Sequence, residues 1–212
     1  MKMKKIILGM VAVLTLVTLT ACGKKEASST DSWKTIEEDK KVTIGLDDTF
    51  VPMGFKDEDG EIVGFDVDLA KAVFKEYGIK ADFQPIDWSM KESELENGTI
   101  DLIWNGYTVT KSREKKVLFT DPYAQNEQVL VTKKDSGITN AEGMKGKILG
   151  AQEGSSGYEA FNNETKTLKD IVKDNDATLY ASFNEAMIDL ENGRIDGLLI
   201  DKVYADYFLK QA

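Results

Sequence analysis

Apolar and polar positions along the chain fall into short extended runs that alternate with amphipathic stretches. Val42-Thr43-Ile44-Gly45 reads as a strand, Asp57-Glu58-Asp59-Gly60 as a turn, and Ile62-Val63-Gly64-Phe65 as an extended segment. Asp66 is expected to cap a helix running to Tyr77, with Leu69, Ala70, Val73, Phe74 and Tyr77 on one face and Gly78 past its end. Ala81 to Ile86 predicts a strand, Met90 to Glu96 a helix, and Ile100 to Trp104 another strand. Further on, Gln128 to Thr132 and Lys147 to Gln152 predict strands, followed by a helix near Tyr158 and a strand near Leu179. A helix over Asn184 to Glu191, a strand ending at Ile200 and a helix from about Lys202 complete the pattern. Strands that alternate with helices in this way indicate an α/β fold with largely parallel sheets.

Part of this pattern occurs twice. Leu95-Glu96-Asn97-Gly98-Thr99-Ile100-Asp101-Leu102-Ile103 returns as Leu190-Glu191-Asn192-Gly193-Arg194-Ile195-Asp196-Gly197-Leu198. Each copy reads as a helix end, an Asn-Gly turn and a short apolar strand. Chance is the plainer explanation, because such junctions are common. Lys147 to Gln152 also echoes Lys41 to Asp47, however, so both ends of the unit recur. Side chains at the carboxyl ends of strands line the crevice of α/β units. The polar residues after the two repeated strands, Asn105-Gly106-Tyr107-Thr108 and Asp201, are therefore expected to face each other across a cleft between two lobes.

The first residues do not fit this scheme. Met1-Lys2-Met3-Lys4-Lys5 is basic, and Ile6 to Ala21 is uncharged and mostly apolar. That run is shorter than the ~20 residues of a membrane span and has the form of a secretory signal peptide over residues 1–21. Leu19-Thr20-Ala21-Cys22 resembles the lipobox of bacterial lipoproteins, which implies that Cys22 is lipidated and anchors the chain outside the cytoplasmic membrane. An ordinary signal with an incidental cysteine is the alternative. Residues 22–40 are polar and aperiodic and are expected to be a flexible tether.

Charge and composition narrow the chemistry. The formal charge of −10 becomes −13 without the three lysines of residues 1–21, which argues against nucleic acid and against attraction to anionic lipid. The chain has no histidine, and Cys22 is its single cysteine. Metal sites built on His or Cys and triads built on His are therefore excluded.

Five patterns in fixed order carry a family resemblance: Gly45-x-Asp47-x-x-Phe50-x-Pro52, Gly64-Phe65-Asp66-Val67-Asp68-Leu69, Gly98-x-Ile100-Asp101, Thr108-x-Thr110-x-x-Arg113 and Phe119-Thr120-x-Pro122-Tyr123. Together, behind a lipobox, they resemble the family 3 type of extracellular solute-binding protein that serves ABC importers of polar amino acids, from about Val42 to Ala212. The resemblance implies a two-lobed periplasmic-binding-protein-like fold, each lobe a mostly parallel sheet flanked by helices, with the ligand cleft between them. Lobe 1 is expected over residues 41–125 and lobe 2 over 126–212, with the passage near Ala124 to Glu127. It implies binding of one free amino acid and delivery to ABC permease subunits, without catalysis and without a cofactor. Family members run further and cross back through the hinge, so the resemblance also implies a C-terminally truncated chain whose lobe 1 lacks its return segment.

Only two of the basic residues are arginines, Arg113 and Arg194. Arginine presents a planar fork that holds a carboxylate through two hydrogen bonds. The resemblance puts Arg113 on the ligand carboxylate, aided by Thr108 and amides near Gly106, while Arg194 reads as a solvated turn residue. Asp201 is assigned the ligand ammonium, with capping of the next helix as the alternative. In Glu153-Gly154-Ser155-Ser156-Gly157, small residues let N–H groups approach an anion. Ser156 is the expected second-lobe contact there, and Ser155 is equally suited to capping. Phe50 and Trp88 match aromatics that sandwich the ligand, and Trp104 is read as core or cleft wall. Asp47, with Gln152, matches the position at the distal end of the ligand side chain, where a carboxylate disfavours glutamate and aspartate. Glutamine, a basic amino acid (arginine, lysine or histidine) and cystine stay open. Two rival readings are a dehydratase of the same fold using Glu153 as its acid, and a surface sensor or partner-binding lipoprotein.

Overall fold

The computed structural model describes residues 31–211, so the expected signal peptide, Cys22 and the first part of the expected tether lie outside the described residues. In chain order the first half holds α1 (Trp33–Asp39), β1 (Lys41–Leu46), β2 (Thr49–Phe50), β3 (Gly54–Lys56), β4 (Ile62–Val63), α2 (Phe65–Glu76), β5 (Lys80–Pro85), α3 (Lys91–Glu96) and β6 (Leu102–Ile103). The second half holds β7 (Gln128–Thr132), β8 (Leu149–Gln152), α4 (Ser156–Asn163), β9 (Ala177–Tyr180), α5 (Phe183–Glu191), β10 (Gly197–Asp201) and α6 (Lys202–Gln211). One sheet has the order β5-β1-β6 and is parallel throughout. The other has the order β7-β10-β8-β9, parallel except where β7 runs against β10. A small antiparallel sheet, β2-β3-β4, sits beside the first. The result is an α/β fold of two lobes, as the alternating pattern predicts.

The sequence repeat has a physical explanation. Asn97 and Asn192 end their helices, and Gly98 (φ 71°) and Gly193 (φ 70°) take the left-handed conformation that favours glycine. Ile100 and Ile195 then drop into the core, 1% and 2% exposed. Each closes over a glycine of the central strand: a Cβ on Gly45 or on Gly150 would lie 2.5 Å from the isoleucine Cδ1. Asp101 and Asp196 finish the unit. Their N–H groups donate to Thr43 O (2.8 Å) and Ile148 O (2.9 Å), and their carboxylates accept from the N–H of Thr43 and Ile148, both at 2.8 Å. The repeat thus docks the incoming strand onto β1 in one sheet and onto β8 in the other. Ile100→Ala and Ile195→Ala are each expected to cost about 2–5 kcal/mol of stability, read by urea unfolding. A loss well below that range at both positions would show that the glycine–isoleucine contact does not hold the sheets.

Four expectations are corrected. The tether assigned to residues 22–40 contains α1, whose Ile36 is buried against Val42, Ile44 and Phe74, because Trp33 and Ile36 share one apolar helix face. Asp66 is not a cap. Gly64 (φ 132°) precedes α2, and Asp66 lies inside the first turn with its side chain turned into the protein. The buried stripe of α2 is Val67, Ala70 and Phe74, whereas Val73 and Tyr77 are exposed and Tyr77 packs edge-on against Trp33 (5.6 Å, 87°). The strand expected over Ile100 to Trp104 shortens to β6, although Asp101 and Trp104 still donate to Thr43 O and Gly45 O of β1.

Candidate functional site

The carboxyl ends of the central strands meet. Asp47 follows β1, Asn105 and Gly106 follow β6, Gln152 ends β8 and Asp201 ends β10. All ten expected cleft residues, Asp47, Phe50, Trp88, Asn105, Gly106, Thr108, Arg113, Gln152, Ser156 and Asp201, line one narrow cavity, together with Ser155 and Phe183. Its open volume is about 10 Å³, close to a single water, so a larger guest enters only if the lobes part. A larger cavity of about 360 Å³ beside β7 and α4 is lined mainly by apolar groups such as Leu130, Phe161 and Leu168 and has no buried charge on its walls.

Arg113 sits in a 3-10 turn and is 4% exposed. Its guanidinium donates to Thr108 O (2.8 Å) and Gly154 O (3.0 Å), and Cζ lies 4.5 Å from the centre of the Tyr107 ring. Burial lowers its pKa from the ordinary value, without bringing an arginine near neutrality. The surface residue of the pair is Arg194, which bonds Asp189 in solvent. Asp201 faces Arg113 from the other lobe. Its Oδ1 accepts from Gln128 Nε2 (2.7 Å) and from Asn126 Nδ2, and burial raises its carboxyl above the usual range. These side-chain bonds run back to the β7 region rather than to the start of α6.

Asp47 is held from both lobes. Thr49 donates its N–H (2.9 Å) and hydroxyl (2.6 Å) to Oδ1, while Gln152 Nε2 donates to Oδ2 at 2.7 Å. Burial pushes this carboxyl up as well. Asn105 Oδ1 accepts the Asp47 N–H (3.1 Å), so it orients that turn. Ser155, not Ser156, caps α4 by accepting from the Tyr158 N–H (3.1 Å), which leaves the Ser156 hydroxyl to Gln128 (3.1 Å). Phe50 stacks on Tyr204 and meets Phe183 at a tilt of 38°, both of the second lobe and both at 5.9 Å. Trp88 meets Tyr107 edge-on at 5.8 Å. Trp104 packs against Phe74 in the first-lobe core.

Two expectations about this cavity change. The Gly106 N–H is not free for an anion, since it donates to Asp66 Oδ2 at 2.6 Å. Asp66 also accepts from the Tyr123 hydroxyl (2.7 Å), so the carboxylate first read as a cap instead braces the loop that carries the cavity wall. Glu153 is exposed and outside the cavity, which removes the acid on which a dehydratase depends.

Residues missed in the sequence include Lys91, Asn126 and Gln128. Lys91 is 1% exposed, its Nζ donating to Trp88 O and Gly154 O at 2.9 Å each and lying 3.4 Å from Glu92. Burial first, then the neighbouring Arg113, push it down to about 8. Met90-Lys91-Glu92 carries no signal of this, because it reads as an ordinary solvated helix start. Asn126 precedes β7 and Gln128 begins it, with nothing in the local sequence to tie either to Asp201.

Fold and site together define a two-lobed α/β binding protein with a charged interlobe cleft. Residues 42–208 match the bacterial extracellular solute-binding proteins, family 3, and the chain belongs to that family. It is similar to the arginine-binding extracellular protein ArtP of Bacillus subtilis (strain 168), with 32% identity over 208 residues covering 98% of this chain and 77% of that protein. It also resembles the ABC transporter arginine-binding protein 1 of Escherichia coli (strain K12), at 33% identity over 81% of this chain and 67% of that protein. Among solved structures, an ABC uptake transporter substrate binding protein from Streptococcus pneumoniae with bound histidine shares 59% identity at a TM-score of 0.85, covering 87% of this chain and 75% of that one.

Proposed function

We propose that this chain binds one free polar α-amino acid between its lobes, outside the cytoplasmic membrane, and passes it to an ABC permease. The observation that carries the reading is the pairing of buried Arg113 and buried Asp201 in one cavity. A fork-shaped cation opposite a carboxylate matches the carboxylate and ammonium of an amino acid zwitterion. In this reading Arg113, Thr108 and Ser156 hold the carboxylate, and Asp201 holds the ammonium. Phe50 and Trp88 cover the side-chain stem, and Asp47 with Gln152 meets its polar end. Asn105 and Gly106 shape the wall. Residues 41–125 and 126–212 act as the two lobes, hinged near Ala124 to Glu127. The chemistry is capture and release by closure, with no covalent step. Cys22 carries the lipid anchor once residues 1–21 are removed, and Cys22→Ser is expected to release the protein from the membrane fraction; membrane retention of that variant would remove the anchor from the reading.

Histidine is the first ligand to test, because the pneumococcal protein at 59% identity holds it; arginine, lysine, glutamine and cystine follow. A thermal-shift titration is expected to show saturable stabilisation by at least one of these, about 5–10 °C at a hundredfold excess over Kd. Glutamate and aspartate should give no shift, since Asp47 would face a second carboxylate. A panel with no shift at all would overturn the reading, and a shift with glutamate would overturn the role of Asp47.

A further inference from the structure

We propose that the segment from Gly154 to Glu159 is clasped onto the first lobe by Lys91 on one side and by Thr110 and Ser112 on the other. This clasp sets how long a bound ligand is held. The inference rests on the binding reading above for its ligand, but its geometry is independent of it.

The Gly154 carbonyl accepts from two cations of the first lobe, Lys91 Nζ at 2.9 Å and Arg113 at 3.0 Å. A buried ammonium needs fixed acceptors, and Lys91 has Trp88 O and, at 3.4 Å, the Glu92 carboxylate in its own lobe, and Gly154 O across the cleft. Gly154 itself is pressed onto that lobe: at φ 69° a Cβ there would lie 2.9 Å from the Ser89 Cα. On the far side, Glu159 of α4 accepts from Thr110 Oγ1 (3.0 Å) at one oxygen and from Ser112 Oγ (2.6 Å) at the other. Lys91 and Glu159 do not line the ligand cavity. They lie instead on the path by which it must open, because the cavity admits a guest only when the lobes part. Contacts that must break before release slow dissociation, and because they also close the unliganded protein they hold down the fraction open to ligand.

The test uses Lys91→Met, which is one atom shorter than lysine, keeps an unbranched apolar stem and removes the charge, and Glu159→Ala at the partly exposed rim. Stopped-flow displacement of L-histidine, or of whichever panel amino acid binds, is expected to show a dissociation rate raised about tenfold or more for Lys91→Met. For Glu159→Ala the rise is about three- to tenfold. Association should equal or exceed that of the parent, because the open form is more populated in both variants. X-ray scattering without any ligand supplies a second readout, in which both variants should have a larger radius of gyration than the parent. Unchanged dissociation and unchanged radius in both variants would overturn the clasp, as would an effect confined to association. If Lys91→Met fails to fold, Glu159→Ala decides alone. If the parent binds no amino acid but the variants expand, the clasp stands and the proposed function falls.

Discussion

Arg113→Ala is expected to abolish amino acid binding at ordinary ligand concentrations while leaving the fold intact. Truncating one partner of a buried, hydrogen-bonded charge pair costs about 2–5 kcal/mol, roughly 30- to 5,000-fold in Kd. The upper half of that range applies here, because Arg113 is 4% exposed and serves two functions. Its fork is the one arginine in the cavity, and it also spans the cleft from Thr108 O to Gly154 O. Arg113→Lys should recover only part of the loss. A lysine keeps the charge but offers neither the paired N–H groups nor the flat face that lies over the Tyr107 ring. Calorimetric titration measures the affinity, and circular dichroism checks the fold. Binding by Arg113→Ala within threefold of the parent would place the carboxylate elsewhere.

The second large effect belongs to Asp201. In Asp201→Asn, the remaining oxygen can still accept from Asn126 and Gln128, as Asp201 Oδ1 does now. The new NH₂ group, however, would turn donors toward the ligand ammonium. A loss of about 2–5 kcal/mol in binding is expected. The same residue predicts a pH dependence. Burial raises the Asp201 carboxyl in the unliganded protein, with Gln128, Asn126 and Arg113 only partly opposing the shift. Protonation there competes with the ammonium, so affinity is full above the raised pKa. It falls as the pH drops through that value, above the ~3.9 of an unperturbed aspartate. Stability moves the other way. A carboxyl raised on folding binds its proton more tightly in the folded chain, so its ionisation costs stability near neutrality and acid relieves that cost. Asp47 is raised by burial too, and the diagnostic comparison is therefore with Asp201→Asn. If that variant kept the parent's acid slope in affinity, the slope would belong to Asp47 or another group.

The sequence by itself determined the alternation of strands and helices, the duplicated docking unit, and the ten residues that line one cavity. These were legible for local reasons. The Asn-Gly turn and the isoleucine that follows it act within a few residues of their own strand, so their chemistry is written contiguously. Of the cavity residues, Asn105, Gly106, Thr108 and Asp201 follow from strand ends, because an α/β sheet exposes the carboxyl ends of its strands at one edge; Asp47, Phe50, Trp88, Arg113, Gln152 and Ser156 follow from the family resemblance. The tertiary structure decided what depends on two distant segments meeting. Nothing near Lys91 announces burial, which arises only when the 153–157 loop descends on it from the other lobe. Asp66 carries an acidic first-turn signal that suits a cap, yet the Gly106 N–H and the Tyr123 hydroxyl draw it inward. Val73 and Tyr77 lie near the apolar stripe of α2 but stay exposed, because a sheet accepts only a narrow stripe of one helix. The identity of the polar groups was thus set by local chain chemistry. Their partners were set by packing, where burial obliges every donor and charge to find an acceptor across the chain.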